Sequence, residues 1–300
     1  MKTVTSEPQI AIKNILFATD FEVSAGRALP FAVALAKRYG AKLYAVHVIP
    51  PEAYVLASAE SFERVLAEAG DFAKYSLNQL LSPLRTHGIA AEALLGEGNV
   101  AGVVEKLAEE RSADLLVVGT KGRMGLSKVF VGSVAEELIR DSRCPVLTVG
   151  PHVTSLASSG VQSVICATDF SPVSTHAVKF GVSLAAEYQA HLTLLHVLEG
   201  KLPASLGLEV DFAERRLRQT LPAEFELPFQ PEFVVKAGTV ADRIVNLAAD
   251  LSSDIIVIGA NGVGAFAEMA SRLGSTVHRV IAFAPCPVLT VRDVQKPEVE

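Results

Sequence analysis

Apolar residues in this chain fall into short unbroken runs and longer amphipathic stretches, and the two alternate. Asn14–Ala18 (NILFA) is a short apolar run, the pattern of a buried strand. Residues 24–38 place Ala28, Phe31, Ala32 and Leu35 at helical spacing, and Gly40 follows as a stop. Residues 42–48 predict the second strand. Residues 60–81 predict a long helix with Phe62, Val65, Leu66, Ala69, Phe72 and Leu80 along one side. A strand is expected over 89–95, a helix over 100–111 and an almost wholly apolar strand over 114–119. A helix opens at 132–140 and a last strand covers 145–149. Strands alternating with helices imply βαβ units and a parallel sheet. Runs such as LLVVG suit strands covered on both faces.

The whole series then occurs again. CPVLTV stands at residues 144–149 and at 286–291. Ala18-Thr19-Asp20-Phe21 returns as Ala167-Thr168-Asp169-Phe170, and His47-Val48 as His196-Val197. SADLLVVG at 112–119 returns as SSDIIVIG at 252–259. This is an internal duplication of about 145 residues, which must be recognised before any fold is assigned. The offset between copies is 149 residues at Asp20, 140 at Gly119 and 142 at Cys144. The second copy is therefore shorter in its middle, with a shorter second helix at Leu206–Thr220, and longer before its last strand. Residues 150–160 (GPHVTSLASSG) read as a linker. Two domains follow, 1–150 and 160–300.

Composition narrows the function. At 50% apolar and 20% charged, the chain is globular. A net charge of −6 without a Lys/Arg block argues against nucleic acid or an anionic membrane as partner. No apolar run approaches the ~20 residues that span a bilayer. The first residues, MKTVTSEPQIAIKN, interrupt any signal-peptide core with Glu7 and Pro8. A cytoplasmic location is expected. Three cysteines without a CxxC read as inert core thiols, and the seven histidines show no ligand spacing.

The chemistry concentrates after the fourth strand, at Gly119-Thr-Lys-Gly122, nine residues, then Gly132-Ser133. In an open parallel sheet, ligands bind at the carboxyl ends of strands where the strand order reverses. Glycines there let the backbone approach a phosphate, and Gly132-Ser133 opens a helix whose free N–H groups favour an anion. Lys121, Arg123 and Lys128 add positive charge. A second reading stays open: Ser133-Val-Ala-Glu136 also fits a capping box that satisfies the helix's own donors. Asp20 likewise fits a turn carboxylate as well as a ligand contact.

Glycine, two residues, glycine, nine residues and Gly-Ser resembles the ATP-binding signature of the universal stress protein family. Asp20 after the first strand, His47-Val48 after the second and the terminal CPVLTV resemble that family too, and the likeness covers both copies. The resemblance implies an α/β chain of two tandem doubly wound domains of the adenine nucleotide alpha hydrolase-like type. Each would carry a five-stranded parallel sheet of order 3-2-1-4-5. It implies ATP with Mg²⁺ across the ends of strands one and four. Asp20 would contact ribose or adenine, Thr19 would line the same pocket, and Val48 would meet the base. Val118 and Gly119 would border the ribose, and Gly122, Gly132, Ser133 and Val134 would hold the phosphates. It further implies pairing of the two domains through their last strands, and a homodimer is possible.

The second copy departs from the signature. Gly259-Ala-Asn-Gly262 is followed by eleven residues before Gly274-Ser275. Asn261 and Val263 stand where Lys121 and Arg123 stood, Glu268 adds negative charge, and His278 replaces Glu136. Asp169 and Val197 persist. Site one is expected to bind nucleotide, and site two weakly or not at all. GxGxxA strings at 96–101 and 262–267 are weak dinucleotide signals. The acid that follows the first, Asp114, opens a strand, whereas a ribose-binding acid must close one. Neither GxxxxGK[ST] nor GxSxG occurs. The leading function is an ATP-binding regulatory protein of the stress response, with no catalytic residue and no protein metal site assigned. The alternatives are a slow ATPase or phosphotransferase, or a nucleotide-free dimerisation module.

Overall fold

The computed structural model describes residues 10–55, 58, 61–121, 131–153, 160–199, 206–221, 227–260 and 275–292. The chain divides into two compact units, one comprising Ile12–Lys121 and Gly132–Val149, the other including Gly150–Glu300.

The first unit runs β1 (Asn14–Ala18), α1 (Val23–Tyr39), β2 (Lys42–Ile49), α2 (Phe62–Thr86), β3 (Ala91–Glu97), α3 (Val100–Glu110), β4 (Leu115–Gly119), α4 (Ser133–Asp141) and β5 (Val146–Val149). Its strands are parallel and ordered β3-β2-β1-β4-β5. Ile15, Leu16 and Phe17 of β1 are fully buried, as continuous apolar strands require when helices cover both faces. Gly40 ends α1 in the left-handed region at φ 62°, the stop that its lack of a Cβ permits.

In the second unit β6 (Ser163–Ala167), α5 (Pro172–Tyr188), β7 (His191–Leu198), α6 (Leu206–Thr220) and β8 (Glu232–Ala237) are followed by α7 (Val240–Asp250), β9 (Ile255–Gly259), α8 (Ser275–Phe283) and β10 (Val288–Val291). The parallel order is β10-β9-β6-β7-β8, the same topology. Each unit is thus a doubly wound α/β layer whose order reverses beside its first strand. Among the described residues, no helix is long and apolar enough to cross a membrane.

One pinning contact recurs. Asp114 Oδ2 accepts the backbone N–H groups of Lys13 (2.7 Å) and Asn14 (2.9 Å). Asp254 Oδ2 does the same for Gln162 (2.7 Å) and Ser163 (3.0 Å). Both carboxylates sit at the amino edge of the sheet, where they start a strand and stand away from any ligand at the carboxyl edge. The first GxGxxA string is likewise a packing device, because a Cβ on Gly96 would collide with Val103 of α3.

The long helix differs from the pattern in the sequence. α2 extends to Thr86 through Pro83, and it buries Gly70, Ala73, Leu77 and Leu81. Phe72, on the apolar side read from the sequence, is 65% exposed, and Phe62 is exposed as well. Two apolar stripes lie side by side on this helix. The stripe of Gly70, Ala73, Leu77 and Leu81 is the one that packs toward β2 and β3.

Cys166 and Cys286 are core thiols, and Cys144 is half-buried. Burial pushes Cys144 and Cys166 up from the ordinary thiol range and Cys286 up to about 12. They stay protonated, and therefore unreactive, near neutral pH. A disulfide-exchange dye should react little with the native protein at pH 8 and titrate three thiols after unfolding in urea. Appreciable reaction in the folded state would show that these sites open. Gly181 of α5 leaves no room for a Cβ against Cys166 Sγ, with Val257 beside it. Gly181→Ala should therefore lower stability in urea melts by about 1–3 kcal/mol. Adding Cys166→Ala should cost less than the two single changes summed, because it vacates the space that the new methyl needs.

Candidate functional site

The reversal of strand order between β1 and β4 opens a cleft of about 480 Å³ in the first unit. β1 delivers Thr19 and Asp20, β2 delivers Val46, His47 and Val48, and β4 delivers Val118, Gly119 and then Lys121. Gly132, Ser133, Val134 and Ala135 enter from the start of α4. Of the nine residues the sequence singled out, eight line this one cleft, and Gly122 lies outside the described residues.

Gly119 is dictated by close approach. A Cβ there would run into the backbone carbonyl of Ser24 in the first turn of α1. The absence of a side chain lets the end of β4 pass against α1. At α4, Gly132 is the N-cap residue, with φ −58° and ψ 146°, and no side chain caps the helix. The capping box is not formed. Ser133 is the first helical residue, so its hydroxyl is one position too late to serve the N3 donor. The first N–H groups of α4 have no acceptor within the helix, and the positive end of its dipole faces the cleft.

Asp20 does serve as a turn carboxylate. Its Oδ1 accepts the N–H of Glu22 at 3.0 Å, while Oδ2 pairs with Lys121 Nζ at 2.9 Å. Thr19 is buried, and its Oγ1 accepts the Phe21 N–H at 3.0 Å. Val48 and Val118 are buried walls.

The sequence pattern missed an apolar wall. Pro50, after β2, and Val100 and Val104, from α3, line the cleft on its β2–β3 side. Val100 and Val104 stand one helical turn apart, a spacing shared by ordinary core residues, so no motif marks them. The cleft is therefore apolar toward β2 and α3. Toward β4 and α4 it offers backbone N–H groups, a hydroxyl and a lysine. An elongated ligand with an apolar ring at one end and an anion at the other fits this polarity.

The second unit repeats the frame with a different interior. Asp169 Oδ1 accepts the Ser171 N–H at 3.0 Å, and Thr168 Oγ1 accepts the Phe170 N–H at 2.9 Å. Here the Thr168 hydroxyl also bonds Ser174 Oγ at 2.9 Å, and Ser174 bonds Ser171. In the first unit Ala25, which has no hydroxyl, occupies the place of Ser174. A cavity of about 530 Å³ in this unit lies on the other side of the turn, toward α6. Asp169 and His196 border it, as Asp20 and His47 border the first cleft, but Phe170, Phe212 and Arg216 among its walls have no counterpart in the first cleft's lining. Gly262 and Gly274 lie outside the described residues.

Comparison with known proteins agrees with the duplicated plan. A family model described as the Universal stress protein family matches residues 11–150 and again 160–292. A universal stress protein of Methanocaldococcus jannaschii is 32% identical over 138 residues, which is 46% of this chain and 81% of that protein. A Staphylococcus aureus USA300 protein named for the same family is 36% identical over 143 residues, 47% of this chain and 85% of its own. The crystal structure of a universal stress protein from Archaeoglobus fulgidus superposes with a TM-score of 0.71 over 93% of this chain and 96% of that one. At 19% identity, that likeness concerns the fold alone. Matched in both repeats, with the strand order and the glycine-bordered cleft already described, this chain belongs to the universal stress protein family.

Proposed function

We propose that the first unit binds an adenine nucleotide, ATP, and that the protein acts as an ATP-responsive regulator in the stress response. The observation that carries this reading is the uncapped amino end of α4 at Gly132, set across the cleft from the apolar wall of Val48, Pro50, Val100 and Val104. A helix start with free N–H groups receives phosphate, and the apolar wall receives the base. Asp20 lies between them, in reach of a ribose hydroxyl. In the bound state Lys121 would turn from Asp20 to the phosphates. That ion pair is half exposed and contributes little in water, so the exchange costs little. Among the described residues, no cluster of three or more His, Cys, Asp or Glu side chains is placed to hold a metal. Mg²⁺ would therefore arrive on the phosphates and keep its waters, as that ion commonly does. A cytoplasmic location suits three free thiols.

The second unit, on this reading, binds nucleotide weakly or not at all. Asn261 replaces the lysine, and Ser174 occupies the threonine hydroxyl.

Denaturing the purified protein and identifying released nucleotide by mass spectrometry tests the proposal directly. About one ATP per chain is expected. ADP in its place would indicate hydrolysis. No nucleotide, followed by no heat on ATP titration, would overturn the reading. A Gly132→Asp variant should lose ATP affinity by roughly tenfold or more through charge repulsion at the phosphate position. It should not lose stability, because a Cβ at Gly132 meets nothing within 4 Å and Asp is a favourable N-cap residue. Gly274→Asp should leave affinity unchanged, and loss of binding in that variant alone would move the site to the second unit. Lys121→Ala should weaken binding several-fold and flatten its salt dependence, since one screened charge contact is removed.

A further inference from the structure

We propose that His47 is a positioning residue for this cleft, holding the Thr19-Asp20-Phe21 turn in the conformation that presents Thr19 and Asp20 to a ligand. The proposal rests on the nucleotide reading above and gives His47, which itself borders the cleft, a role exercised through its neighbours. His47 Nδ1 lies 2.9 Å from the carbonyl oxygen of Thr19. A carbonyl only accepts, so Nδ1 carries the proton and the imidazole donates. The Phe21 ring stacks on the same imidazole, with centroids 4.5 Å apart and planes 27° from parallel.

The turn needs such support. Phe21 sits at φ 61°, in the left-handed region that a bulky residue avoids. A conformation of this kind persists only where its surroundings hold it, and it collects at ligand sites. Every backbone and hydroxyl group of Thr19 is engaged in the arrangement. Its N–H donates to the Val46 carbonyl at 2.9 Å, its carbonyl accepts from His47, and its Oγ1 accepts the Phe21 N–H. Asp20 follows directly, its carboxylate fixed by the Glu22 N–H at 3.0 Å. Releasing the Thr19 carbonyl would let Phe21 relax and would turn Asp20 away from the cleft that it lines.

The second unit contains the same clasp and so supplies an internal control. His196 Nδ1 lies 2.8 Å from the Thr168 carbonyl, the Phe170 ring is tilted 31° over it with centroids 4.4 Å apart, and Phe170 sits at φ 63°. A purely structural role would make the two histidines equivalent. A positioning role makes only His47 matter for nucleotide.

The test compares His47→Phe, His47→Asn and His196→Phe in the full chain, reading ATP affinity by calorimetry and Tm by thermal scanning. His47→Phe keeps a ring but loses the donor, and its affinity should fall on the order of tenfold. His47→Asn restores an N–H near the lost Nδ1 and should recover most of that affinity. His196→Phe should lower Tm about as much as His47→Phe while leaving affinity at the wild-type level. A folded His47→Phe protein with wild-type affinity overturns the positioning role alone. Wild-type protein that binds no ATP overturns the nucleotide reading and this proposal with it. Should His47→Phe fail to fold, the nitrogen chemical shifts of His47 in the wild-type protein decide. The Nδ1–H tautomer with and without ATP is expected, and the Nε2–H tautomer would refute the clasp.

Discussion

Where β4 ends, its backbone passes so close to the first turn of α1 that residue 119 has no space for a side chain. This contact lets two neighbouring crossovers diverge without a gap behind them. α1 leaves β1 on one face of the sheet, and the chain leaving β4 returns as α4 on the other. The carboxyl ends of β1 and β4 thereby become the floor of a cleft, and the amino end of α4 becomes one of its walls. Had residue 119 carried even a methyl group, either α1 or β4 would have to move, and Asp20 and Gly132 would no longer face one another across one ligand-sized space.

The duplicated turn after the first strand of each unit is a second consequence of the same geometry. A strand that ends at the switch point must turn sharply to enter its helix, and Phe21 and Phe170 do so in the left-handed region. Each unit offsets that cost with a histidine from the adjacent strand, which bonds the turn and lies against its phenylalanine ring. The frame has been kept in both repeats while the interior has diverged. Ser171 and Ser174 form a hydroxyl web around Thr168, whereas the first unit has Ala25 in the place of Ser174. A geometry can thus persist after its chemistry has been altered, because strand pairing and strain relief demand the first and only a ligand demands the second.

Three readings of the chain show what pattern alone misses. α2 carries adjacent apolar stripes, and helical periodicity cannot say which of them faces the sheet. Packing against the sheet buries the stripe that holds Ala73, Leu77 and Leu81, so Phe72 stays 65% exposed. Ser133 and Glu136 have the spacing of a capping box, yet the helix starts at Ser133 itself and Gly132 takes the cap position. A difference of one residue leaves the start of this helix without a side-chain cap, its first N–H groups free of any partner within the helix. Val100 and Val104 read as ordinary core positions, and only folding brings them to the cleft wall.

Local chemistry along the chain was enough to determine the α/β class, the duplication, the parallel sheet and the edge at which a site must lie. Strand periodicity, turn glycines and a repeat of about 145 residues are near-neighbour properties that need no folding to be seen. The tertiary structure decided which stripe of α2 is buried, that the start of α4 is uncapped, that Lys121 meets Asp20, and that a histidine from the next strand secures the turn. Those outcomes depend on distances of a few ångströms between residues up to about a hundred positions apart. Such distances are set by how closely small side chains let helices and strands approach, and no pattern along the chain records them.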